Sequence, residues 1–94
     1  MTSISHLDAA TRNDIIQRLK RIEGQARGIQ RMMEEERDCQ DVLNQIAAMR
    51  AATHALDMQL LQEFVLHCLQ HTGDAPSLEK AVAQMVDVIS KHTR

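Results

Sequence analysis

Tryptophan and tyrosine are absent from these 94 residues, phenylalanine and proline occur once each, and glycine occurs three times. With aromatic and turn-forming residues so scarce, and no run of alternating β-branched residues, a β-sheet architecture is excluded. No apolar run approaches the roughly 18 to 20 residues that span a bilayer, and the opening "MTSISHLDAATRND" lacks the apolar stretch of a secretory signal. A cytoplasmic protein with no membrane partner is expected. Also missing are a Walker-type glycine loop, an H-x-E-x-x-C pairing and a serine with a recognisable base, so no enzyme is expected.

What is present is aliphatic. Apolar residues make up 44% of the chain and include six methionines, so the core must be built from Leu, Ile, Val, Met and Ala, which suit helix-on-helix packing. The expected fold is all-α: a single domain over residues 1–94, with residues 1–10 as a mobile tail. Ile15, Leu19, Ile22, Ala26, Ile29 and Met33 recur at alternating spacings of four and three, the apolar stripe of a first long helix running to about Glu36. Asp38 reads as the N-cap of a second long helix striped by Val42, Ile46, Met49, Thr53, Leu56 and Leu60. That helix is expected to end near Thr72, with Gly73 just beyond it. Pro76 marks the first turn of a shorter third helix carrying Leu78, Val82, Met85 and Ile89. A chain this short buries a modest core alone, and oligomerisation is the usual remedy.

The net charge of −2 argues against a polyanionic partner, but its distribution argues for one. Arg12, Arg18, Lys20, Arg21, Arg27 and Arg31 crowd into one segment against Asp14 and Glu23, while acid gathers in "EEERD" at residues 34–38. On a helix, Lys20, Gly24, Arg27 and Arg31 share one polar face, with Arg18 and Arg21 on an adjoining strip. Such a stripe suits phosphate contacts, and the lack of aromatics argues against stacking on single-stranded bases. An ordinary solvated face is the plainer alternative.

Two cysteines in a cytosolic chain point to metal or redox chemistry before a standing disulfide, although free cysteine also serves as a small core residue. Cys39 and Cys68 stand 29 positions apart on one predicted helix. At about 1.5 Å and about 100° per residue they lie roughly 43 Å apart along the axis, yet within about 20° of the same face. One chain cannot join them. Two copies of the helix packed antiparallel about a dyad would place Cys39 of one opposite Cys68 of the other, twice. Cys39 in the first helical turn meets unpaired N–H groups that favour negative charge, opposed by Asp38 and Asp41. His71, one turn after Cys68, could complete a Cys39, Cys68, His71 set for Cu(I) or Zn(II). His67 is turned about 100° away, and His6 could reach back from the tail as a further ligand.

The segment "RLKRIEGQARGIQRMMEEERDCQDVLNQIAAMRAA", followed by "HC", resembles the CsoR/RcnR/FrmR family of bacterial repressors over nearly the whole chain. The resemblance implies an all-α protomer without a helix-turn-helix, assembled as a dimer of dimers, that represses DNA until an inducer binds near the start of helix 2. It carries the family's DNA contacts onto Arg18, Lys20 and Arg21, and also onto Arg27 and Arg50. Copper-sensing members place a histidine 25 residues after the first cysteine; here that position is Phe64, which cannot ligate a metal. Formaldehyde-sensing members pair the first cysteine with an N-terminal proline amine, and here the chain opens Met-Thr-Ser. Nickel and cobalt members use several histidines, one of them N-terminal, and His6 is out of register. The remaining resemblance is to the persulfide-sensing CstR branch, which keeps both cysteines and replaces the histidine.

The expected function is therefore a homotetrameric repressor of double-stranded operator DNA, released by persulfide or polysulfide at a Cys39/Cys68 dithiol and requiring no cofactor. Cu(I) sensing is the alternative within the family. A cytosolic metal or thiol buffer that binds no DNA is the alternative outside it.

Overall fold

The computed structural model describes residues 3–70 and 75–92. A short 3-10 turn, Ile4–His6, leads into three helices: α1 (Ala9–Glu34), α2 (Cys39–Gln70) and α3 (Ala75–His92). No strand occurs among the described residues. The protein is all-α, with two long helices and a shorter third.

Regular structure begins within the first ten residues, with Ile4–His6 and the start of α1 at Ala9. Leu7 is buried, and Asp8 caps α1 with an extended backbone, its carboxylate accepting a 2.7 Å hydrogen bond from the Thr11 backbone N–H. That bond satisfies one of the four donors a helix start leaves unpaired. The backbone and side chain of Thr11 together hold the Asp8 carboxyl below its ordinary range. The cap's contribution is thus present above the usual carboxylate range and lost as pH falls through the lowered one. Apolar periodicity missed this start because Ala9, Ala10 and Thr11 add little to any stripe.

Helix α1 ends at Glu34, two residues short of expectation. Glu36 adopts a left-handed φ of 53°, donating its N–H to the Met33 carbonyl, while Arg37 donates to the Met32 carbonyl. This is the Schellman closure, usually made at a glycine. Asp38 then caps α2 as predicted: its carboxylate accepts from the Gln40 N–H at 3.0 Å, and its carbonyl accepts from the Val42 N–H at 3.2 Å. α2 runs 32 residues without interruption. The expected stop at Thr72 and Gly73 lies outside the described residues, and α3 opens with Pro76 in its first turn.

The chain divides into two compact units, Leu7–Met58 and Met1–His6 with Gln59–Arg94. The first contains α1 and the opening of α2; the second contains the rest of α2 and α3. α2 is long enough to belong to both. Among the described residues only Leu7, Val42 and Cys68 are buried apolar side chains. Leu19 and Met33 of the predicted α1 stripe, Leu43 and Ile46 on α2, and Leu78, Val82 and Val86 on α3 stay exposed. The helical stripes form as predicted, and a single chain leaves much of them uncovered.

Candidate functional site

Cys39 is the first residue of α2, set there by the Asp38 cap, and its free thiol is exposed. Cys68 lies two residues before the end of the same helix, and its free thiol is buried. Because α2 is unbroken, the helical rise of about 1.5 Å per residue keeps the two sulfurs apart within a chain. Phe64, one turn before Cys68, is half-buried. His71 lies outside the described residues. Among the described residues of one chain, no three His, Cys, Asp or Glu side chains form a group able to hold a metal ion.

The histidines hold a feature that periodicity did not reveal. The ring of His6 lies against that of His67, centroids 4.2 Å apart and tilted by 37°. Its Nδ1 is engaged with the Ser3 carbonyl oxygen, and its Nε2 is buried without a hydrogen-bond partner. Glu63, Leu66 and Gln70 join the two histidines around a cavity of about 240 Å³. His6 thus meets His67, which the helical wheel had turned away from Cys68. A contact between a 3-10 turn and a distant helix leaves no signal in local spacing.

The cations of α1 sort into two groups. Arg18 pairs with Asp14 at 3.1 Å and Arg27 pairs with Glu23, each one helical turn away and well exposed. The side chains of Lys20, Arg21 and Arg31, like that of Arg50 on α2, are exposed and make no hydrogen bond or ion pair among the described residues. A Cβ added at Gly24 or Gly28 meets nothing within 4 Å. Neither glycine is required by packing inside the chain, though each costs about 1 kcal/mol relative to alanine in a helix interior.

An all-α chain with one cysteine opening its second helix, another near that helix's end and a row of exposed cations on its first matches the family model described as "Metal-sensitive transcriptional repressor" over residues 11–91. The chain belongs to that family. It is 38% identical to the copper-sensing transcriptional repressor CsoR of Bacillus subtilis over 92 residues, covering 98% of this chain and 91% of that one. The Cu(I)-bound crystal structure of the copper-sensing repressor CsoR from Geobacillus thermodenitrificans superposes with a TM-score of 0.85 at 37% identity, covering all of this chain and 95% of that one. The nickel-responsive regulator InrS gives a TM-score of 0.78 at 29% identity, over 85% and 90% of the two chains. This CsoR-type protein is thus a transcriptional repressor of a non-enzymatic family, and no described helix is long and apolar enough to cross a membrane.

Proposed function

We propose that this repressor binds double-stranded operator DNA as a homotetramer and lets go when reactive sulfur links Cys39 of one subunit to Cys68 of the partner subunit. The observation that carries the reading is the placement of two free cysteines at opposite ends of one unbroken helix, with Phe64 where the copper-sensing pattern has histidine. An antiparallel pair of α2 helices would bring the ends together twice, and the uncovered Leu43 and Ile46 give such a pair an apolar surface to bury.

The chemistry closes without an outside oxidant. The exposed Cys39 thiolate attacks the outer sulfur of a low-molecular-weight persulfide, the donor's S–S bond breaks, and the donor thiolate leaves. The Cys68 thiolate of the partner subunit then attacks the Cys39 sulfur and expels sulfide, leaving a disulfide; a longer polysulfide donor leaves one or two extra sulfur atoms in the bridge. The sulfane sulfur is reduced and the two thiols are oxidised. Bridging restrains the helix pair and shifts α1 against the phosphate spacing, a coupling typically of about 1 to 3 kcal/mol.

Cu(I) is the second reading, favoured by the similarity to copper-sensing repressors. The two thiolates suit a soft monovalent ion, but Phe64 offers no donor, so a third ligand must come from His71 or a solvent-borne thiol. Intact-mass measurement after treatment with a persulfide or with Cu(I), paired with operator release, tests the choice. Covalent dimers carrying up to two additional sulfur atoms per link, with DNA release, support reactive sulfur. Stoichiometric copper with DNA release, and no covalent link from persulfide, overturns it.

A further inference from the structure

One cation on the polar face of α1 is already paired. On the helical wheel Lys20, Gly24, Arg27 and Arg31 fall within about 60° of one another, opposite the apolar stripe. Arg27 stands between the other two cations along the axis. The Lys20 and Arg31 side chains have no partner among the described residues, whereas the Arg27 guanidinium is held by the Glu23 carboxylate one turn before it. Both side chains of that pair are about two-thirds exposed, at 67% and 66%. Burial therefore does not force the pairing, which is made by two side chains in open solvent at the edge of the stripe. Glu23 lies about 40° around the helix from Arg27, close enough that a phosphate docked on Arg27 would also face its charge.

We infer that Glu23 sets the strength of DNA binding by competing with phosphate for Arg27, an inference that rests on the DNA-binding reading of this face. Docking requires Arg27 to exchange a carboxylate for a phosphate and leaves Glu23 unpaired beside the polyanion. The cation then adds little net counterion release, unlike Lys20. The arrangement fits a repressor that has to let go. The inducer supplies a limited coupling free energy, and an operator grip far stronger than that coupling could not be released by it. Glu23 holds the grip within that range.

The test uses the full-length protein, a duplex carrying the promoter upstream of its own gene and a scrambled duplex, titrated across a salt series. Glu23→Gln keeps the side-chain shape and removes the charge. It is expected to tighten binding to both duplexes by about two- to fivefold and to steepen the log–log salt slope by about 0.9 per Arg27 brought onto a phosphate. Arg27→Gln alone, and the double variant, complete a cycle in which the gain from Glu23→Gln shrinks when Arg27 is missing. Helicity measured by circular dichroism separates binding effects from unfolding. Unchanged or weaker binding by Glu23→Gln, while Lys20→Ala and Arg21→Ala still weaken binding, overturns the competition and makes Glu23 a positioning residue. If the Lys20 and Arg21 variants bind as the parent does, the DNA face itself is wrong and this inference falls with it.

Discussion

Helices α1 and α2 are of similar length but are built for different surroundings. α1 carries Arg12, Arg18, Lys20, Arg21, Arg27 and Arg31 against three carboxylates, with apolar residues confined to one stripe. α2, six residues longer, has a single cation, Arg50, and spreads apolar side chains around much of its circumference. A helix apolar on several sides must be buried on several sides, whereas a one-striped helix keeps a face for water or for a charged partner. The division of labour we propose follows that contrast: α2 for the surface between subunits and the two thiols, α1 for the surface that meets phosphate.

The largest break in that contrast comes from putting charge on α2. Ile46 is 41% exposed in a single chain, so an isolated protomer should tolerate Ile46→Glu with little loss. If this face is buried between copies, the same change leaves a carboxylate without water or a partner, at a cost of several kcal/mol for each copy. Sedimentation analysis should then show dissociation and partial unfolding, while Gln30→Glu on the exposed side of α1 leaves the assembly intact. An Ile46→Glu protein that assembles like the parent would remove α2 from the interface.

A smaller effect sharpens the other half. Gly24 is exposed on α1, nothing lies where its Cβ would be, and its φ is not left-handed, so Gly24→Ala should raise helix stability by about 1 kcal/mol. The same methyl group would stand between Lys20 and Arg31 on the face assigned to DNA. Thermal unfolding is therefore expected to shift upward while operator affinity falls. A stabilised variant with unchanged affinity would mean that the glycine serves no close approach.

Much of this was legible from periodicity. The stripes of α1, α2 and α3, the Asp38 cap and the uninterrupted second helix all follow from spacing and capping chemistry, because each depends on neighbours within one or two turns. The cysteine placement is legible for the same reason, as helical rise alone fixes it. What sequence did not supply depends on long-range or atypical local geometry. The stacking of His6 on His67 joins residues far apart in the chain, and the ordering of Leu7 and Asp8 is announced only by one short polar side chain. The pairing of Arg27 with Glu23 was available from their four-residue spacing, but a charge count treats all the cations of α1 alike. The end of α1 was misplaced because the closing residue is glutamate, where glycine is the usual signal.

That junction gives the most local prediction, at the boundary between the two contrasted helices. Glu36 holds a φ of 53°, where a Cβ crowds the adjoining carbonyl oxygen. Its backbone serves the closure, with N–H groups from residues 36 and 37 satisfying two carbonyls of the last turn, and among the described residues no ion pair of its side chain competes with that role. Glu36→Gly removes the crowding while keeping both hydrogen bonds; the extra freedom of glycine in the unfolded chain offsets part of the gain. The net expectation is a stabilisation of about 0.5 to 1 kcal/mol in denaturant titration, with DNA affinity and thiol chemistry unchanged because neither proposed surface includes residue 36. A destabilised variant would mean that the glutamate side chain, rather than the left-handed turn, fixes where α1 stops and α2 begins.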